Sequence, residues 1–205
     1  MAKLFFRYSA MNAGKSTALL QIAYNYEEQG QRVHLFTAGI DDRSGAGCIA
    51  SRLGLQRQAD VFGEHTDFLE LLAHEDGLAC VLIDESQFLS PAQVRQLHRL
   101  AHLRNVPVIC FGLRSDFQGN AFPGSAQLLT LADDIEEIKT ICACGRKATM
   151  NIRMDDNGRR VHAGAQVEIG GNERYQQVCA RCFYREETEP PRSPTACGSL
   201  PPKGG

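Results

Sequence analysis

The 205-residue chain lacks most of what would place it in a membrane, outside the cell or on nucleic acid. Its longest apolar runs, such as residues 78 to 83, fall far short of the ~20 residues a spanning helix needs. No leader-like segment opens it. Met1-Ala2-Lys3 passes straight into a strand-like run, with no small-residue cleavage site, so a cytosolic setting is expected. A basic excess is also missing: 22 Lys and Arg face 24 Asp and Glu, a formal charge of -2. That balance gives no electrostatic reason to expect a general nucleic-acid binder, although it leaves a local basic patch open. There is no internal repeat. The six histidines show no ligand-like spacing, and none is assigned a role.

What is present is an ordinary globular composition, 43% hydrophobic and 22% charged, at a length that supports one core plus a small appended module. The first two-thirds alternates strand and helix. "KLFFRY" reads as a buried strand, residues 15 to 29 as a helix, and "RVHLFTA" as a second strand. "DFLELLAHED" reads as a helix with apolar residues at 68, 69, 71 and 72, and "LACVLID" as a third strand. Ser90 and Pro91 start another helix, serine as N-cap and proline in its first turn, and "VPVICFG" is a fourth strand. Continuous apolar strands separated by helices predict an α/β fold, a parallel sheet covered on both faces.

The first motif sits between the first strand and the first helix. Gly14, Lys15 and Ser16 match the second half of a phosphate-binding P-loop, G-x-x-x-x-G-K-[ST], but Ser9 stands where its first glycine is usual. The loop's chemistry rests on inward backbone N–H groups, a helix N-terminus and the lysine. A serine fits the first position provided its backbone is not left-handed. Lys15 would then bridge the outer phosphates, and Ser16 would offer its hydroxyl to Mg²⁺. Such a loop also requires an acid at a neighbouring strand end, and Asp84, closing "CVLID", supplies it. Glu85 follows and points elsewhere. A carboxylate there orients a water in an ATPase or accepts a hydroxyl proton in a kinase, and residue type does not separate the two.

The eight cysteines divide into kinds. Cys80 and Cys110 lie in apolar strand patterns and read as small buried hydrophobes. Cys142-x-Cys144 and Cys179-x-x-Cys182 form two close pairs 34 residues apart. In a cytosolic chain this arrangement points to tetrahedral, structural Zn²⁺ with no position open for catalysis. Between the pairs lies "VEIGGNERY", residues 167 to 175. From spacing alone it is equally a hairpin turned at Gly-Gly-Asn or a loop approaching a ligand, with Tyr175 offering a ring and a hydroxyl.

"SAMNAGKST", "DESQF", "GLRSDFQGNAFPGS", the C-x-C pair and "VEIGGNERYQQVC" followed by "RCF" occur in one order. Together they resemble the cytosolic thymidine kinases of bacteria and dividing animal cells, over residues 1 to about 185. The resemblance implies a P-loop NTPase-like α/β domain over 1–140 and a zinc-binding lasso domain over 141–185; the tail over 186–205, rich in proline, glycine and polar residues, is expected from its composition to be disordered. It implies transfer of phosphate from ATP-Mg²⁺ to the 5′-hydroxyl of deoxythymidine, a homotetramer, inhibition by dTTP, and neither nucleic-acid nor membrane partners. A different class, a P-loop ATPase with a nucleic-acid-binding zinc ribbon, shares many of the same motifs and stands as the alternative.

Carried over residue by residue, the resemblance makes Ser9, Ala10, Met11, Asn12, Ala13, Gly14, Lys15 and Ser16 the phosphate loop. Asp84, Glu85, Ser86 and Gln87 would lie at the nucleotide, with Glu85 as the catalytic base. Met11 would sit near thymine, Asp41 and Arg43 near the sugar and the transferring phosphate, and Phe117 would stack on the base. Gln166, Val167, Glu168, Ile169 and Gly170 would grip the pyrimidine edge, and Tyr175 would close the pocket. Cys142, Cys144, Cys179 and Cys182 would hold zinc; some relatives carry histidine where Cys182 stands.

Overall fold

The structure is a computed structural model that describes residues 1–39, 47–167 and 174–185. Its centre is a six-stranded, all-parallel sheet in the order β5-β2-β6-β7-β1-β8. The strands are β1 (Leu4–Ser9), β2 (Arg32–Ala38), β5 (Asp60–Phe62), β6 (Leu78–Ile83), β7 (Val108–Leu113) and β8 (Asp134–Glu137). A short antiparallel pair, β3 (Cys48–Ala50) and β4 (Gln56–Gln58), stands beside them. The four strands expected from apolar runs are all present. The two added edge strands are short, and β8 is mostly acidic and exposed. Edge positions are where charge and brevity guard an open ladder, so they carry little apolar signal.

Helices cover both faces. Leu19, Leu20 and Ala23 of α1 (Lys15–Glu28) pack with Leu35, Leu82, Ile109 and Phe111. On the other face Val94, Leu97 and Leu100 of α3 (Pro91–Arg104) share a core with Leu4, Phe6, Phe36, Val81 and Ile83. Successive residues of β6 therefore serve opposite cores, as a strand's two-residue period demands. α3 begins as expected: Ser90 and Gln93 form a reciprocal capping box, with Pro91 in the first turn. Cys80 and Cys110 are fully buried, and burial raises both thiols far above their usual range.

The helix expected over "DFLELLAHED" is cut short. α2 spans only Phe68–Leu71, capped by the Asp67 side chain, and turns follow. The Arg104 guanidinium takes the carbonyls of Leu72 and Glu75, which a continuing helix would need for its own ladder. A helix that the sequence pattern did not mark, α4 (Pro123–Leu131), precedes β8.

Beyond β8 the grammar becomes antiparallel. β9 (Thr140–Ile141) pairs with β10 (Lys147–Ala148), and β11 (Met150–Met154) lies between β12 (Arg160–Val161) and β13 (Tyr175–Val178). α5 (Ala180–Arg185) closes the described chain. The tail from 186, including Cys197, lies outside the described residues.

Candidate active site

β1 delivers Ser9 to a loop that ends at Gly14, and α1 opens at Lys15. Two loop residues are left-handed, Asn12 at φ 61° and Gly14 at φ 84°. A Cβ on Gly14 would meet nothing within 4 Å, so glycine is there for its backbone angle and not for space. Ser9 is not left-handed, which is why a serine fits where glycine is usual. It is also used: its Oγ donates to the Ala10 carbonyl at 2.7 Å and accepts from Lys15 Nζ at 3.2 Å. A glycine would lack this hold on the lysine.

The acid expected opposite the loop is in place. Asp84, just past β6, accepts a hydrogen bond from Ser16 Oγ at 2.9 Å through Oδ2 and from the Glu85 N–H at 3.0 Å through Oδ1. Burial first, then the neighbouring Glu85 carboxylate, push the Asp84 carboxyl well above the usual carboxylate range, against the pull of Ser16 and Lys15. A buried carboxylate of this kind is stabilised by a cation beside it. A hydroxyl and a carboxylate in contact are the donor set a P-loop offers to Mg²⁺, so the residues fit that ion.

Glu85 is left-handed at φ 51°, ψ 38°, which swings the chain out of the strand direction. Gln87 holds it. Its Nε2 donates to Glu85 Oε2 while its Oε1 accepts from the Leu113 N–H at 3.0 Å. Ser86 and Gln87 are themselves turned into the protein, buried in a short 3₁₀ turn over Ser86–Phe88. That turn lies against Gly112 and Gly124, where a Cβ would come within 2.6 Å of Ser86 Oγ and 2.5 Å of the Leu89 carbonyl respectively. The first and last of the three glycines in "GLRSDFQGNAFPGS", Gly112 and Gly124, therefore allow the close approach that fixes Glu85.

The antiparallel sheet reaches the same loop. Asn151 Oδ1 accepts from the Met11 N–H at 2.8 Å, and its Nδ2 donates to the Ser115 carbonyl at 3.3 Å. Gln177 Oε1 accepts from Asn12 Nδ2 at 3.0 Å. Next along the same face of β11, the Arg153 guanidinium lies 4.0 Å from the centre of the buried Phe117 ring and donates to the Ala165 carbonyl. Asp116 accepts from Gln118 N and Asn120 N through Oδ1 and from Gln166 Nε2 at 2.9 Å through Oδ2. Tyr175 pairs with Arg153 in the ladder between β13 and β11, and both Val167 and Tyr175 are half-buried. Phosphate loop, Phe117, Gln166 and Tyr175 are thus linked through one strand. Asp41, Arg43, Glu168, Ile169 and Gly170 lie outside the described residues.

The four paired cysteines converge. Their sulfurs all lie within 4.8 Å of one another, and the Cys144 and Cys179 sulfurs are 3.6 Å apart. Tetrahedral zinc with Zn–S near 2.3 Å sets sulfurs about 3.8 Å apart, so the cluster fits that ion. The turn at Cys142 is built for it: the Cys142 N–H donates to the Arg146 carbonyl, and Gly145 at φ 81° donates back to the Cys142 carbonyl. The Arg146 N–H holds the Cys144 thiol down at about 6, whereas burial pushes Cys182 up. With every ligand position filled by protein, such a zinc is structural.

A sequence profile of the thymidine kinase family matches residues 2–183. The chain is 65% identical over 187 residues to a thymidine kinase from Chromobacterium violaceum, covering 91% of this chain and all of that one. It is 59% identical over 184 residues to a thymidine kinase from Albidiferax ferrireducens, covering 90% and 93%. The chain belongs to the thymidine kinase family. A member of this family is a nucleoside kinase, a phosphotransferase that draws on ATP. Among solved structures, the Pif1 helicase from Candida albicans superposes with a TM-score of 0.41 at 15% identity, over 69% of this chain and 37% of that one. A likeness that distant says nothing about function.

Reading motifs missed Asn151, Asp116 and Arg153. The signal for two of them was present: in "MNIRM" the polar residues alternate with apolar ones. Met150, Ile152 and Met154 pack toward the cysteines, so Asn151 and Arg153 must face the other way, toward the kinase site.

Proposed function

We propose that the protein phosphorylates deoxythymidine at its 5′-hydroxyl, using ATP with Mg²⁺ to give dTMP. The observation that carries this reading is the pair of adjacent carboxylates set to different tasks. Asp84 turns back to Ser16 of the phosphate loop, while Glu85 swings away at a left-handed turn and is held by Gln87. A hydroxyl nucleophile needs a positioned base, and Glu85 is that base, taking the 5′-hydroxyl proton as the γ-phosphoryl group transfers. Ser16 and Asp84 would hold the magnesium, which when bound neutralises charge on the phosphates. Lys15, kept over the loop by Ser9, balances the rest.

Ser9 to Ser16, with Asp84 to Gln87, form the nucleotide side of the site; Ser86 and Gln87 act by fixing Glu85. Met11, Asp41, Arg43, Phe117, Gln166 to Gly170 and Tyr175 form the nucleoside side. The bonds from Asn151 to Met11 and from Gln166 to Asp116 support that grouping. Arg43 would stabilise charge on the transferring group. Residues 1–140 act as the kinase domain and 141–185 as a lasso whose two ends are pinned by zinc. A pinned loop can close over a small base and keep water from the phosphate. The enzyme works as a cytoplasmic homotetramer inhibited by dTTP, as the family resemblance implies. Cysteines left as free thiols among the described residues suit a reducing compartment.

The test is ADP release by the purified protein with ATP and Mg²⁺, with and without thymidine, using cytidine and single-stranded DNA as controls. Release that depends on thymidine, matched by dTMP, is expected. Release without thymidine, or stimulated by DNA, would hand the protein to the ATPase reading.

A further inference from the structure

A second cluster of metal-ligating side chains lies away from the phosphate loop and the four cysteines. His98 and His102 sit one turn apart on α3, their ring centres 4.6 Å apart. His102 Nε2 is 3.0 Å from Oδ2 of Asp133, which follows α4. One ligand atom from each of the three lies within 4.8 Å of the others. The sequence reading gave no histidine a role; the i, i+4 pair gains one only when the fold brings Asp133 beneath it.

We propose that His98, His102 and Asp133 bind a divalent cation of the zinc class. Metal–ligand distances near 2.1 Å put neighbouring donors about 3.0–3.4 Å apart, so small rotamer shifts close the set around an ion. The two imidazoles are borderline donors that suit Zn²⁺, Co²⁺ or Ni²⁺, and beside them the single hard carboxylate is too little for Mg²⁺. The carboxylate is already oriented, because Asp133 Oδ2 also accepts the Leu4 N–H at 2.8 Å. This is the outer bond that aims a ligand in built metal sites. His98 and His102 ride on a helix fixed at its start by the capping box. All three side chains are partly open to solvent, so water would fill the remaining positions. A bound ion would tie α3 to the start of β1 and to the turn between α4 and β8.

This site differs in kind from the cysteine cluster, and that difference makes the test. The zinc-loaded protein, carrying its thiolate-bound zinc, is titrated with Co²⁺. The expected result is one further equivalent giving weak ligand-field bands without sulfur-to-cobalt charge transfer, together with a higher Tm. Nucleoside kinase activity need not change. His98→Asn is the sharpest variant, since it leaves the His102–Asp133 hydrogen bond in place, and it should weaken the extra site at least tenfold while the thiolate zinc stays. Absence of a second equivalent in the wild-type protein would overturn the proposal. So would its retention, at unchanged affinity, in both His98→Asn and His102→Asn.

Discussion

The parallel sheet and the cysteine end of this chain meet at the phosphate loop but have cores of very different size. Among the described residues, the sheet rests on two apolar clusters of nineteen and nine buried residues, one on each face. The cysteine end has a cluster of six, and two of those, Cys142 and Cys179, belong to the four-cysteine group that fits zinc. Fully burying a side chain such as Ile152, Val178 or Phe183 contributes about 1.5–3 kcal/mol, whereas a structural zinc contributes on the order of 10 kcal/mol or more. The phosphate loop and both carboxylates sit on the larger of these cores. The antiparallel sheet that presents Asn151 and Arg153 has the smaller apolar core, with the zinc-compatible cysteines beside it.

The largest effect should come from the sheet side. Glu85→Gln keeps the Gln87 contact region and ATP and thymidine binding, but lowers kcat by about 10²-fold or more, the scale of losing a general base. Near wild-type turnover would remove Glu85 from the mechanism. Next, Cys142→Ser should abolish zinc binding and raise the KM for thymidine more than that for ATP. Circular dichroism should still report the helices of the parallel sheet. Metal analysis finding a full zinc per chain in that variant would dissolve the contrast between the regions.

A smaller effect probes the seam. Asn151→Ala leaves the Met11 N–H and the Ser115 carbonyl without their partner, a cost of about 1–3 kcal/mol. It should raise the KM for ATP about tenfold with zinc retained; an unchanged KM would mean that the two regions touch without coupling. The smallest should be Ser90→Ala, which removes the α3 cap for about 1 kcal/mol and lowers Tm by about 2–4 °C. Zinc content and kcat should not move.

Much of this was legible in the chain itself. Four central strands lie largely between two helical layers, so they read as mostly apolar runs, and α3 announces itself with its own cap. The phosphate loop was readable despite Ser9, because Gly14 carries the left-handed turn and Ser9 does not. β5 and β8 were not readable, since short edge strands bury little. The helix after Asp67 looked longer than it is, because its end is set by Arg104, more than thirty residues away.

The sequence by itself determined the strand-loop-helix of the phosphate site, the Asp84–Glu85 pair and the two cysteine pairs, since each depends on neighbours within a few residues. Only the tertiary structure decided that the Leu113 N–H braces the Gln87 that holds Glu85, that Asn151 ties the loop to the cysteine end, and that Asp133 lies under two histidines. Those contacts join residues with no common period or motif. They exist because the strand order β6-β7-β1-β8 and the pairing of β11 with β13 bring distant segments within hydrogen-bonding reach.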